Sequence, residues 1–298
     1  MHIAESSTTP TEQVVVNGAL FATLLLVDSL HFVFARALLP YFDPVVSATG
    51  VLVAATVQVG VYGWWRGQLT LGSLRRHFGF FAAIGFMVGA STGLGYMAVT
   101  FIDPGTASML SKTATLFSIL VGIAWLHDRL RPVQLAGAAL SLLGVLIITF
   151  QPGDFLRLGS LMVLGGTMMY AVHAALVKRY GDDMDFVEFF FGRLLFTSLA
   201  LAIFAATRPL SSLATAGATG WSILILAGTV DVVISRGLYY LALRRLSMSL
   251  HAIVLTLSPV ATVLWSLLLF DAFPGPRQLF GGIIVILGVG IAAYFRSR

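Results

Sequence analysis

Thirteen acidic and eighteen basic residues are spread over 298 positions, and a few of them interrupt long apolar stretches where a charge is expensive. These are Asp28, Lys112, Arg193, Asp231 and Arg236, with Glu188 close by. A charged side chain inside a hydrocarbon layer faces the interior of a bundle or a water-filled cavity, so each of these is a candidate for chemistry. At the rise of an α-helix, Asp28 and Lys112 fall about 10 and 12 Å below one face of the membrane. A carboxylate and an ammonium at one depth suit the two ends of a zwitterionic amino acid. The plainer alternative is an ion pair that lets both charges stay in the bundle. Arg193 and Arg236 fall about 10 Å from the opposite face, with Glu188 nearer the surface and Asp231 near mid-membrane. Together they read as an inner gate or ion pair, against an alternative in which arginine heads snorkel to the interface.

Other side chains join these groups. Tyr96 and Trp265 lie near the Asp28/Lys112 level and offer a ring face to a flat substrate, with Ser111 beside Lys112; most aromatics in a bundle are packing or interfacial belt, which is the reading for Trp64 and Trp65. Tyr170, Tyr239, Tyr240 and Trp125 belong to the same aromatic set. His31, His173 and His251 are the histidines within apolar stretches, able to relay a proton near neutral pH, with His251 reading as structural. Pro259 removes a rung from a helix ladder and is a candidate hinge, or a simple kink. No His/Asp/Glu cluster has metal-ligand spacing, so no metal and no cofactor is expected.

The elements that must position these residues are helices. The chain is 58% hydrophobic and 10% charged with a mean hydropathy of +0.92. A soluble domain carries about 25% charge, so the expectation is an all-α integral membrane protein with the lipid bilayer as its solvent. Ten apolar segments, near 14–35, 44–65, 78–102, 104–126, 132–150, 158–177, 186–207, 221–243, 248–270 and 276–295, have the roughly 20 residues that cross a bilayer as a helix. The alternation of a β-barrel is absent. Residues 1–13 read as a short polar tail without the basic start of a secretory signal.

Residues 106–145 and 249–289 echo each other: Pro132/Pro276, Gln134/Gln278, Gly137/Gly281 and Gly144/Gly288 are each 144 apart. Asp43/Asp185, Gly50/Gly192 and Gly93/Gly237 extend the match at offsets of 142 to 144. The expectation is two five-helix repeats, 14–150 and 151–298, making one transport unit. Five is odd, so the second copy lies inverted. Eleven Lys and Arg fall on the side that holds both tails and four on the other, which places both termini in the cytoplasm. Equivalent turns also differ in charge: His127-Asp-Arg-Leu-Arg131 is basic and Asp271-Ala-Phe-Pro274 is not. That distribution explains the pI of 9.8 without a nucleic-acid partner. Gly89-x-x-x-Gly93 and Gly288-x-x-x-Ala292 permit close helix approach, for internal packing or a weak homodimer beside the monomer.

The paired helix-turn-helix units, with a Pro in the apolar span at Ser258-Pro259, an acidic turn residue at Asp128 and Asp271, and Leu-Gly-Val at 143–145 and 287–289, resemble the drug/metabolite transporter superfamily, in particular its EamA-type members. The likeness covers about Gly18 to Tyr294. Thr115-Leu116 departs from the Pro position in the first copy, Asp stands where Glu is usual, and Arg193 has only Val51 as its first-copy counterpart. The resemblance implies a ten-helix secondary transporter of the inner membrane, its cavity lined by helices 1 to 4 and 6 to 9 with helices 5 and 10 as supports. Within the superfamily, exporters of amino acids, aromatic ones included, look closest, with a multidrug or other metabolite carrier as the alternative. Its partner would be a small-molecule substrate, with the proton as a coupling ion. No ATP-binding G-x-x-x-x-G-K-[ST] is present. An embedded enzyme would need G-x-S-x-G, H-E-x-x-H or a cysteine, and the chain has none. A channel would need repeated polar rings.

Overall fold

The computed structural model describes residues 22–69, 71–126, 132–149, 154–180, 184–239, 255 and 257–294. His251, Tyr240, Arg244 and Arg245, the tail 1–13 and the basic turn 127–131 lie outside the described residues.

Helices dominate. In chain order they are α1 (22–28), α2 (His31–Leu38), α3 (Pro44–Trp65), α4 (Leu71–Arg76), α5 (Phe78–Ala98), α6 (Pro104–Ser111), α7 (Ala114–Leu126), α8 (Pro132–Thr149), α9 (Asp154–Tyr180), α10 (Phe186–Ala205), α11 (Ser212–Thr215) and α12 (Gly217–Ala227). A π-helical stretch, Gly228–Ile234, prolongs α12 to Tyr239; α13 (Ser258–Phe270) and α14 (Pro276–Tyr294) follow. Five of these, Pro44–Trp65, Phe78–Ala98, Arg157–Tyr180, Phe186–Ala205 and Gly217–Tyr239, are long and apolar enough to cross a membrane. Outer faces of the helices are as greasy as a soluble core: Ile203 on α10 and, on the shorter apolar helix α13, Leu268 are 71% and 74% exposed. Surfaces of that kind call for lipid.

Local chemistry explains the starts. Pro44 and Pro104 occupy first helical positions, where the missing N–H costs nothing. The preceding aspartates cap them: Asp43 Oδ1 accepts from Val45 N at 2.9 Å, and Asp103 accepts from Thr106 N at 2.9 Å and from the Thr106 hydroxyl at 2.6 Å. Asp271 ends α13 in the left-handed region at φ 50°, which a short polar side chain tolerates.

Two pairs of helices pack in a reciprocal way. The Thr56 hydroxyl on α3 meets the Ser198 hydroxyl on α10 at 2.9 Å, 142 positions apart. Further along, Gly60 faces Phe191 and Gly63 faces Val187, so α3 and α10 run antiparallel. Between α8 and α14 the Ser141 hydroxyl donates to Val285 O at 3.1 Å, 144 positions apart. A Cβ on Gly144 would stand 2.6 Å from Gly281 O, and one on Gly288 would stand 2.6 Å from Gly137 O. These helices also run antiparallel, at a backbone separation that only glycine permits.

Candidate functional site

Asp28, His31, Lys112 and Asp231 sit where helices are irregular. The segment α1–α2 breaks at Ser29 and Leu30, between Asp28 and His31. Leu30 N reaches only three residues back, to Val27 O, and the Ser29 hydroxyl bends onto Leu26 O at 2.6 Å. A serine that bonds back to its own turn competes with the ladder and bends the helix. Segment α6–α7 breaks in the same manner at Lys112 and Thr113, whose N–H groups reach back three residues to Met109 O and Leu110 O. Asp231 occupies the middle of the π-helical stretch, a widened turn of the kind that clusters at functional sites. The fourth irregularity is the start of α13, where Pro259 stands at the second position and cannot donate to the preceding turn.

α13 fastens these breaks together. Trp265 Nε1 donates to the Ser29 hydroxyl at 3.1 Å. The Thr262 hydroxyl lies 2.9 Å from Ser29 O, 3.1 Å from Ser258 O and 3.1 Å from the Ser108 hydroxyl on α6. Its one proton can serve only one of these three acceptors at a time. Ser29, Ser108, Ser258 and Thr262 are all buried, so this knot is a polar seam inside an apolar bundle.

Beside the seam lies a cavity of about 250 Å³. Asp28, His31, Tyr96, Ser111 and Lys112 line it, and so do Arg193, Asp231 and Arg236. The groups that helix rise sets toward opposite faces of the membrane therefore meet around one space. Every segment expected to line it contributes, and α8 and α14 give no residue to it among those described. Asp28 and Lys112 stand 3.7 Å apart, each less than one-fifth exposed. His31 Nδ1 and Asp231 Oδ2 are 2.8 Å apart, with the carboxylate buried and the imidazole one-third exposed. The Tyr96 ring meets the His31 ring edge-on at 5.7 Å. Tyr170 and Thr167 complete the wall from α9.

Three expected residues lie elsewhere. Trp265 holds Ser29 and is not part of the lining. Glu188, in the first turn of α10, and Pro259 are also outside it. The Ser29–Ser108–Thr262 seam escapes sequence reasoning, because lone hydroxyl residues in apolar spans look like helix back-bonding; their shared depth is the only signal. Among the described residues no group of three His, Asp or Glu could hold a metal ion.

The pattern of the EamA-like transporter family matches the chain twice, over residues 17–150 and 157–294. The chain is 26% identical over 194 residues to the uncharacterized transporter YdfC of Bacillus subtilis (strain 168), a match covering 63% of this chain and 62% of that one. It is 24% identical over 196 residues to a "Probable terminal-alkyne amino-acid exporter" of Streptantibioticus cattleyicolor, covering 63% of each. Both matches thus span less than two thirds of these relatives' lengths. A solved crystal structure superimposes with a TM-score of 0.62 over 95% of this chain and 99% of that one, at 19% identity, which is a likeness of fold.

Proposed function

The chain belongs to the EamA-like transporter family, and from that membership we propose that it is a secondary transporter that exports small metabolites, amino acids among them, by alternating access. One observation carries this reading: acidic and basic side chains from several apolar helices, with Asp28, His31, Lys112 and Asp231 at irregular turns, converge on one cavity. Discontinuous helices around a mid-membrane site are how transporters expose backbone polarity and charge to a substrate while keeping both from lipid.

The architecture in this reading is ten spans, arranged as two five-helix repeats of opposite orientation with both termini in the cytoplasm. Reciprocal packing supports it. Ser141 touches its own repeat equivalent, Val285, while Gly144 meets Gly281 and Gly288 meets Gly137. Contacts that exchange partners in this way are the mark of a two-fold relation. Because the equivalent helices run antiparallel, in α3/α10 as in α8/α14, the axis that fits lies in the membrane plane. Two inverted halves have two near-equivalent packings, one open to each side, and the cavity lies between them.

The size of the cavity favours an amino-acid-sized substrate over a multidrug carrier's ligands. About 250 Å³ lies just below the roughly 300–1,000 Å³ usual for small-molecule sites. The amino-acid exporter among the relatives supports the same class. Lys112, Asp28, His31, Ser111 and Tyr96 form the polar wall, and the His31–Asp231 pair is the seat of proton coupling. Uptake of labelled amino acids by counterflow into proteoliposomes tests this, with Lys112→Ala and Asp28→Asn beside the wild type. Saturable counterflow that falls at least tenfold in both variants is expected. Linear, unsaturated flux would instead indicate a channel, and undiminished counterflow in both variants would remove the proposed wall.

A further inference from the structure

The charges around the cavity are unequally matched, and on the transport reading above the carried molecule has to complete them. Each lining carboxylate already faces a base: Asp28 has Lys112 at 3.7 Å and Asp231 has His31 at 2.8 Å. Two further cations line the same space, Arg193 from α10 and Arg236 from the segment that follows the π-helical stretch. Among the described residues neither arginine is within ion-pair distance of a carboxylate; Asp28 and Asp231 share the cavity with them but bond elsewhere.

Two buried polar atoms at this cavity also lack partners. Arg193 is 93% buried (7% exposed), and its Nε has no hydrogen-bond acceptor. The phenol of Tyr96, 1% exposed, is likewise unpartnered. A guanidinium has only donors, and a buried donor without an acceptor is destabilising, the more so when charged. Static neutralisation is incomplete, because Asp28 and Asp231 each have a nearer base and two arginines remain beside them. What fits is an acceptor that arrives and leaves.

We propose that the cavity binds the carboxylate of its substrate between Arg193 and Arg236, with the Tyr96 hydroxyl as a further donor. A carboxylate presents two coplanar oxygens that match the fork of a guanidinium. Lys112 then serves to hold Asp28 in place. A substrate ammonium is dispensable: the carboxylates of the cavity already have Lys112 and His31 as partners. The substrate class is therefore carboxylic acids small enough for the cavity, with amino acids one case of it.

Three probes with the same ring separate the two ends of the ligand: L-phenylalanine, N-acetyl-L-phenylalanine and phenethylamine. Calorimetric titration of the full-length chain in detergent is expected to show binding of the first two and none of the third. Arg236→Gln is expected to weaken both carboxylates at least tenfold, and Arg236→Lys to restore part of that loss by returning the charge without the fork. Arg193→Gln is the second variant; where it fails to fold, the two changes at Arg236 carry the test. Phenethylamine binding as tightly as phenylalanine overturns the proposal. So does Arg236→Gln binding both carboxylates like the wild type, or the absence of binding by either carboxylate. Counterflow of the same probes separates the two readings: carboxylate binding without counterflow overturns transport and leaves this site standing. Counterflow of phenylalanine unaffected by Arg236→Gln overturns the site and leaves transport standing.

Discussion

Asp231 is the most deeply buried of the lining carboxylates, at 4% exposure, and its acceptor oxygen is committed to one partner, His31. Truncating one member of a buried pair costs more than removing both, because the survivor keeps its charge and loses its bond. His31→Ala should therefore lower the melting temperature in detergent more than the His31→Ala/Asp231→Asn double variant does. The coupling in a double-mutant cycle should fall within about 0.5–3 kcal/mol, toward the lower end because the imidazole is one-third exposed to the cavity. Strict additivity of the two single changes would mean that the 2.8 Å contact contributes nothing to stability. Asp28 and Lys112, at 3.7 Å, lie beyond hydrogen-bond distance and are held less firmly, so their cycle should give the smaller coupling.

Glycine spacing governs the elements. Gly144 and Gly288 bring α8 and α14 to backbone contact, with a Cβ on Gly144 only 2.6 Å from Gly281 O. Backbone cannot yield as a flexible side-chain end can, so Gly144→Ala should destabilise the bundle by about 1–3 kcal/mol, as overpacking does. Gly290, two residues beyond Gly288 in the same helix, meets nothing within 4 Å. Gly290→Ala should be neutral or mildly stabilising, because alanine suits a helix better. Thermal melting of both in one detergent checks the pair, and equal effects would contradict the packing. These positions show how much of the structure could be read from the sequence. The 144-residue spacing of Gly137/Gly281 and Gly144/Gly288 marks the interface in advance, and Pro44 and Pro104 after their aspartates fix helix starts to the residue. The breaks at Ser29 and Lys112 are not legible: hydropathy runs unbroken through 22–38 and 104–126, whereas the side-chain bonds that fasten these segments to α13, at Ser29 and Ser108, join residues 154 to 236 positions apart. The cavity's membership is hidden for a related reason. Helix rise gives each charge a depth but no rotation, so Arg193 and Arg236 read as a separate inner layer although they share a space with Asp28 and Lys112.

Orientation is a property of the whole molecule, and the chain offers a direct way to measure it. Arg66, just after α3, and Arg208, just after α10, are repeat equivalents at the 142-residue offset that also relates Thr56 to Ser198. Both are exposed. If the halves were related by an axis along the membrane normal, these two positions would face the same compartment. With the axis in the membrane plane, as proposed, they face opposite ones, and the excess of Lys and Arg on the Arg66 side makes the cytoplasm the expected compartment there. The chain has no cysteine, so a single introduced thiol is the sole target of a maleimide. In right-side-out vesicles a membrane-impermeant maleimide should label Arg208→Cys at once and Arg66→Cys only after permeabilisation. Labelling of both from outside, or of neither, would put equivalent ends of the two repeats in one compartment. The alternating mechanism would lose its basis with that result, since it depends on each half presenting to one side the packing that its counterpart presents to the other.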